Sequence, residues 1–123
     1  MSAKKSSGKK ITNIPIPGLS VVIPCFNEED RIADTIKSLK KFANKWNSKL
    51  ELIFINDGSS DNTSGIIKQG LEKHNLNDFA RLVELESNRG KGYALKAGVE
   101  HSSQEWVLTM DADNAVEAST LFQ

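Results

Sequence analysis

Cysteine is scarce, net charge is absent and long apolar runs are missing from this 123-residue sequence. Cys25 is the only cysteine, so the chain can form no internal disulfide, which fits a reducing, cytoplasmic compartment. Sixteen basic and sixteen acidic residues cancel, so the overall charge gives no indication of a nucleic-acid partner. No run approaches the roughly 20 apolar residues of a membrane-spanning helix. Whether a longer, full-length protein associates with a membrane stays open.

The first ten residues, MSAKKSSGKK, differ in composition from the rest. They carry four lysines among serine and glycine, with no apolar run. Such a segment cannot bury enough apolar surface to become ordered. We therefore expect residues 1–17 to form a disordered basic tail, and residues 18–123 to form one domain.

Apolar runs and helical patterns alternate along this domain. Residues 27–46 place apolar side chains at helical spacing, with Asn27 as the expected N-cap. A second helix is capped by Ser60 or Asp61, and a third follows the glycines near residue 90. Strands are predicted at 19–23, 50–56, 80–86 and 105–110. Strands separated by helices indicate the α/β class, a three-layer α/β/α arrangement with a mainly parallel, Rossmann-like sheet.

Polar or glycine-rich segments follow all of these strands. In sheets of this kind, ligands bind beyond the carboxyl ends of the strands. Four segments occupy those positions: residues 24–29, 57–61, 88–92 and 111–114. We expect them to meet in one site.

Asp111 and Asp113 leave the last strand with one residue between them, so in extended backbone both side chains point to the same side. Two close carboxylates do not both ionise without compensation. A hard divalent cation, Mg²⁺ or Mn²⁺, supplies it and completes its shell with water and substrate phosphates. The alternative for this pair is a polar loop whose aspartates cap a helix.

Asp57 follows the second strand. Its carboxylate suits an N–H donor, such as the imide of uracil, or a ribose hydroxyl, and an Asx turn into a helix is the alternative. The segment NRGKG combines flexible glycines with Arg89 and Lys91 at a helix start, which favours an anion site. Leu95 replaces the third glycine of a dinucleotide fingerprint, which argues against a dinucleotide-dependent oxidoreductase. Glu28 makes the first helix start acidic, which suits hydroxyls or base edges.

Taken together, the segments describe a nucleotide diphosphate laid across strand ends. In order and spacing, VVIPCFNEE, INDGSSDNT, NRGKGYALKAG and MDAD resemble the nucleotide-binding half of glycosyltransferase family 2, which has the GT-A fold. Within this family, the segments NEEDRI and NRGKG most resemble those of the polyprenyl-phosphate (dolichyl-phosphate) glycosyltransferases. The resemblance covers residues 19–116.

The resemblance implies a role for several residues. The nucleoside pocket would be lined by Pro24, Asn27 and Glu28. Asp57 would bind the base, and Lys91 would lie near the nucleotide. Asp111 and Asp113 would form the metal motif, with Asp111 also near the nucleotide.

The implied reaction is inverting transfer from a nucleotide-sugar donor, of the UDP-glucose or GDP-mannose class, to an acceptor such as a polyprenyl phosphate. The catalytic residue stays unknown, because the carboxylates in hand have donor-side roles. The family's acceptor half would follow residue 123, so we expect this domain to be incomplete at its C-terminus and inactive alone. Exposed apolar surface would then favour self-association.

Two other readings remain. One is a non-catalytic nucleotide-binding or interaction module. The other is an aspartyl-phosphate phosphatase, which would place the D-x-D pair after the first strand and is therefore disfavoured.

Overall fold

The computed structural model describes residues 16–112, which contain four strands and three helices in strict alternation. The elements are β1 (Leu19–Cys25), α1 (Ile32–Lys45), β2 (Leu50–Asn56), α2 (Thr63–Lys73), β3 (Ala80–Glu84), α3 (Lys91–His101) and β4 (Trp106–Thr109). The predicted order is confirmed. Most of the predicted tail, and Asp113 of the predicted metal pair, lie outside the described residues.

All strand pairs are parallel, and the strand order is β3-β2-β1-β4. In β1 and β2 the register runs from Leu19 opposite Leu50 to Cys25 opposite Asn56, so the two strands end level. The chain crosses from β1 to β2 on one side and later returns to place β4 on the other side of β1. The carboxyl end of β1 is thus the point where the strand order reverses, the usual ligand position in open α/β sheets.

Successive side chains along the strands point to opposite faces of the sheet and contribute to two apolar layers. Leu52 and Phe54 belong to the layer that includes buried residues of α1 and α2, whereas Ile53 and Ile55 pack with Ala94 and Ala97 of α3. Strands buried on both faces read as continuous apolar runs, as β2 does. Helices therefore cover both faces, and the predicted three-layer arrangement is confirmed.

The predicted start of α1 is wrong. Asn27 is not an N-cap, since the helix begins at Ile32 and its N-cap is Arg31. Asn27 instead has a φ of 51°, and its Oδ1 accepts hydrogen bonds from the loop after β2. A left-handed residue turns the chain, and asparagine tolerates this conformation better than most residues do.

The second helix also begins slightly later than expected. Its N-cap is Asn62, and Asp61 lies one residue before it. Asp61 still satisfies the helix start, because its Oδ1 accepts hydrogen bonds from the N–H, at 3.0 Å, and the hydroxyl of Thr63.

Strand β4 is an edge of the sheet among the described residues, and it carries two exposed apolar side chains. Trp106 is 56% exposed and Val107 39% exposed. This surface is compatible with self-association, which stays a prediction.

Candidate functional site

A cleft of about 360 Å³ opens where the strand order reverses. It lies beyond the carboxyl ends of β1, β2 and β4 and beside the start of α3. Its lining residues are Pro24, Cys25, Phe26, Glu28, Asp57, Asn88, Gly90, Lys91, Ala94, Asp111 and Ala112. All four segments singled out in the sequence therefore contribute to one cavity.

Most of the residues predicted to bind nucleotide line this cleft. The five are Pro24, Glu28, Asp57, Lys91 and Asp111. Asn27 is not among the lining residues. Its Oδ1 lies 2.9 Å from the backbone nitrogen of Ser60, so it fastens one loop to another. That these side chains contact a nucleotide stays a prediction.

Asp57 is nearly buried, at 3% exposure, and its carboxylate organises the segment before α3. Oδ1 accepts from the backbone N–H of Arg89 at 2.9 Å. Oδ2 accepts from the N–H of Gly90 at 3.0 Å and from Nδ2 of Asn88 at 3.1 Å. These three donors leave one of the roughly four acceptor positions of a carboxylate, on Oδ1.

The start of α3 forms an open, positively polarised surface. Gly90, with a φ of 95°, precedes the helix, and a Cβ added at Gly90 or Gly92 would meet no atom within 4 Å. The first backbone N–H groups of a helix lack intrahelical partners and favour anions. The guanidinium of Arg89 lies 5.1 Å from the ring centre of Tyr93 on the same surface.

Lys91 and Asp111 form an ion pair across the cleft, between Nζ and Oδ1. Lys91 is the first residue of α3, and Asp111 follows β4. Their side chains are 58% and 37% exposed. The cation predicted to meet phosphate and the carboxylate predicted to meet metal are thus in contact with each other.

Glu28 is held in place by its neighbours. Its Oε2 pairs with Nη2 of Arg31 at 2.6 Å, and its backbone N–H donates to Oγ1 of Thr63 at 2.8 Å. The next residue, Glu29, donates its N–H to Oδ2 of Asp61 at 3.2 Å. The loops after β1 and β2 are therefore joined along this wall of the cleft.

Two residues in or next to the site, Phe26 and Thr35, were missed by sequence reasoning. Phe26 is 44% exposed beside the cleft, and its aromatic face was not singled out. Thr35 lies fully buried on α1, and its hydroxyl donates to the carbonyl of Ala112 at 2.7 Å. A polar residue at a core-facing position between Ile32 and Ile36 was the available signal for Thr35.

Cys25 also lines the cleft but is unsuited to nucleophilic chemistry. Burial raises the pKa of its thiol to about 12, and the charge of Glu28 adds to the rise. The thiol therefore stays protonated at neutral pH, and only the thiolate is a strong nucleophile. Cys25 is 1% exposed and packs in the apolar core, so it acts as a packing residue.

The carboxylates that line the cleft are the candidate ligands for a divalent cation. Within residues 16–112, no three His, Cys, Asp or Glu side chains cluster as metal ligands would. Glu28 and Asp57 are engaged by Arg31 and by the residues before α3, and both are largely buried. Asp111 is paired with Lys91 but is 37% exposed, so it is the cleft carboxylate most open to a cation. Mg²⁺ and Mn²⁺ bind through one or two carboxylates plus water and substrate phosphates, so this donor set fits them.

Comparison with known proteins decides the family. The model of glycosyl transferase family 2 matches residues 20–122. The chain belongs to glycosyltransferase family 2. This confirms the family indicated by the four motifs, and the chain is a family 2 glycosyltransferase domain.

Relatives and solved structures agree with this. A poly-beta-1,6-N-acetyl-D-glucosamine synthase of Staphylococcus epidermidis is 39% identical over 107 residues, 87% of this chain and 24% of that protein. This chain therefore spans about a quarter of the length of the curated relatives it matches. The mannosyltransferase PcManGT of Pyrobaculum calidifontis, solved with GDP-Man and Mn²⁺, aligns with a TM-score of 0.71 and 30% identity, over 79% of this chain and 28% of its own. Staphylococcus aureus TarS 1-349, solved with UDP, gives a TM-score of 0.65 and 25% identity, over 78% and 27%.

These findings confirm the GT-A fold, and the mannosyltransferase solved with GDP-Man and Mn²⁺ agrees with a divalent cation in the family. The finer resemblance to polyprenyl-phosphate glycosyltransferases stays a prediction. Within residues 16–112, no helix has the length and apolar character needed to cross a membrane.

Proposed function

We propose that this chain is the donor-binding region of a family 2 glycosyltransferase whose donor is UDP-N-acetylglucosamine. The observation that carries the proposal is the meeting of Pro24, Glu28, Asp57, Lys91 and Asp111 in one cleft at the point where the strand order reverses. Similarity to a synthase of poly-N-acetylglucosamine supports the sugar, and a UDP-bound neighbour supports the base. The GDP-mannose class, seen in the solved mannosyltransferase, is the competing donor.

Each wall of the cleft would hold a different part of the donor. The free N–H groups at the start of α3 and the ammonium of Lys91 would bind the diphosphate. The remaining acceptor position of Asp57 suits the imide N–H of uracil, while Pro24 and Glu28 close the nucleoside side. Phe26 offers an aromatic surface at the rim.

A divalent cation, Mg²⁺ or Mn²⁺, would be held by Asp111 together with Asp113. When bound, it supplies Lewis-acid stabilisation of the departing diphosphate. The ammonium of Lys91 and the helix start add positive charge at the same leaving group, so this wall of the cleft favours departure of the nucleoside diphosphate.

The proposed reaction is inverting transfer to an acceptor oxygen. A growing N-acetylglucosamine polymer would offer a hydroxyl, whose proton a general base must take. A lipid phosphate, the other acceptor considered, would arrive already ionised. Glu28 is paired with Arg31, and Asp57 holds the residues before α3, so neither is assigned as that base.

Calorimetric titration of this chain tests the proposal. UDP-N-acetylglucosamine and GDP-mannose would each be titrated with Mn²⁺ and with a chelator, on the unmodified chain and on Asp111→Asn. Asp78→Asn is the control, because Asp78 is an exposed carboxylate that precedes the amino end of β3 and does not line the cleft. We expect Mn²⁺-dependent binding of the uridine donor that Asp111→Asn weakens and the control retains.

Failure of both donors to bind a folded chain would overturn the proposal. Preference for GDP-mannose would overturn the donor class alone. Binding without measurable sugar transfer would favour the second candidate, a nucleotide-binding module without catalysis, which the engagement of Glu28 and Asp57 by other residues supports.

A further inference from the structure

The ion pair between Lys91 and Asp111 joins two groups that the proposed function assigns to different ligands. Asp111 would serve the cation and Lys91 the diphosphate. Both side chains line the same cleft, one from the start of α3 and one from the end of β4. Neither group can take its assigned ligand in full while it remains bound to the other.

We propose that Lys91 and Asp111 act as an exchangeable pair that makes binding of the divalent cation and of the nucleoside diphosphate mutually dependent. This inference rests on the proposed function and concerns how that site selects its ligand. Lys91 would weaken binding of the cation alone and favour binding of the cation together with a diphosphate.

The electrostatic reason is that either ligand, when it binds alone, leaves one member of the ion pair next to a like charge. A cation that takes Asp111 by itself leaves the ammonium of Lys91 beside a divalent positive charge. A diphosphate that takes Lys91 by itself leaves Asp111 beside a second anion. When both ligands arrive, each group exchanges one partner of opposite charge for another, and no like charges remain in contact.

Other charged groups of the cleft do not replace this pair. Glu28 is paired with Arg31, and Asp57 accepts from the N–H groups before α3. Within the described residues, Lys91 forms its ion pair with Asp111. Removal of Lys91 frees the carboxylate that the cation needs while leaving the other carboxylates as they are.

The expected size of the effect follows from exposure. The two side chains are 58% and 37% exposed, so water screens their attraction. Exposed pairs of this kind change an equilibrium by up to about fivefold, and removal of the positive charge from the site adds to that. We expect Lys91→Gln to bind Mn²⁺ alone about three- to tenfold more tightly than the unmodified chain.

The first measurement uses Mn²⁺ alone. Free Mn²⁺ is followed by its electron paramagnetic resonance signal as the chain is added, for the unmodified chain, Lys91→Gln, Lys91→Arg and Asp111→Asn. Lys96→Gln is the matched control, since it removes the same charge from an exposed position of the same helix outside the cleft. Circular dichroism checks that each variant is folded.

The expected pattern has opposite signs for the two ligands. Lys91→Gln binds Mn²⁺ more tightly but UDP in chelator more weakly, while Lys96→Gln follows the unmodified chain. Lys91→Arg keeps the positive charge, so its Mn²⁺ affinity should rise less than that of Lys91→Gln. By linkage, the factor by which UDP tightens Mn²⁺ binding equals the factor by which Mn²⁺ tightens UDP binding, and both fall in Lys91→Gln.

Equal Mn²⁺ affinities in Lys91→Gln and the unmodified chain, or no Mn²⁺ binding by either, would overturn the exchange. This outcome is separate from failure of the proposed function. The Mn²⁺ titrations need no nucleotide, whereas the proposed function fails when neither donor binds with Mn²⁺ present. A chain that binds UDP-N-acetylglucosamine but shows no gain in Lys91→Gln would keep its function and lose the exchange.

Discussion

The carboxylate of Asp57, at the end of β2, accepts a hydrogen bond from the backbone N–H of Gly90, 3.0 Å away at the start of α3. The resemblance to family 2 gives Asp57 a role toward the base, yet its recorded contacts fix the position of the segment that would meet the diphosphate. One residue thus links two walls of the cleft. Changes at Asp57 should therefore affect folding as well as binding.

Replacement of Asp57 by asparagine tests this link. The amide nitrogen of asparagine cannot accept, so at least one of the bonds from Asn88, Arg89 and Gly90 is lost and the rest lose their charge. Hydrogen bonds to charged groups contribute about 1.5–3 kcal/mol each, so we expect the free energy of unfolding to fall by about 2–3 kcal/mol in urea titrations. Asp78→Asn should leave it unchanged. A stable Asp57→Asn chain that only loses nucleotide affinity would contradict the structural role.

Replacement of Gly92 by alanine should stabilise the fold but weaken nucleotide binding. A Cβ at this position meets nothing within 4 Å, and alanine suits a helix better than glycine, so Gly92→Ala should raise the free energy of unfolding by about 0.5 kcal/mol. The same Cβ would stand where a diphosphate approaches the helix N–H groups, so affinity for UDP-N-acetylglucosamine should fall several-fold. Unchanged affinity in calorimetry would show that the ligand does not approach the backbone here.

Gly98 lies on the same helix, but its replacement by alanine should lower the stability of the fold. An added Cβ would clash with Cγ1 of Val22, a fully buried residue of β1. Overpacking of this kind costs about 1–3 kcal/mol, so Gly98→Ala should lower the urea midpoint. Val22→Ala in the same chain should restore part of the loss. No restoration would mean that the helix relieves the contact by shifting.

The elements were predictable because apolar periodicity is a local property of the sequence. β2 and the buried face of α1, with Ile32, Ile36 and Leu39, follow from spacing alone. The start of α1 did not follow, since Asn27 is used by Ser60, 33 residues further along the chain. The hydrogen bonds of Asp57 come from residues 31 to 33 positions away, and no local pattern reports them.

The site was predictable as a set of strand ends rather than as a set of contacts. The rule for parallel sheets brought Asp57, Lys91 and Asp111 together before any geometry was known. It could not show that Lys91 and Asp111 pair with each other, because that contact depends on the placement of β4 next to β1. Thr35 was missed for the same reason.

Thr35 should hold the residue next to Asp111 in place. Its buried hydroxyl donates to the carbonyl of Ala112 at 2.7 Å, so Thr35→Val keeps the shape but leaves a buried carbonyl without this donor. We expect a loss of about 1–3 kcal/mol in the free energy of unfolding and weaker Mn²⁺-dependent nucleotide binding. Thr35→Ser keeps the hydroxyl and should retain the affinity despite its missing methyl group. Equal affinities in the two variants would remove Thr35 from the site's support.

Asp61 should make the stability of the chain depend on acid pH. Desolvation alone would raise the pKa of Asp61, but hydrogen bonds from the hydroxyl and N–H of Thr63 and from the N–H of Glu29 outweigh it and lower the pKa. A carboxyl whose folded pKa is depressed stabilises the fold fully above its unfolded pKa of about 3.9 and loses that contribution as pH falls through the folded value.

The test compares Asp61→Asn with the unmodified chain in urea titrations from pH 7 down to pH 3. The variant should be the less stable of the two at pH 7. The difference should shrink as pH falls below about 4, because the carboxyl of the unfolded chain takes up its proton there while the native carboxylate, with its lowered pKa, still resists protonation. Asp78→Asn, which removes one exposed carboxylate elsewhere, corrects for the change in net charge. A difference that stays constant over this range would mean that the charge of Asp61 does not fasten the loops after β1 and β2, and that its oxygens act only as neutral acceptors.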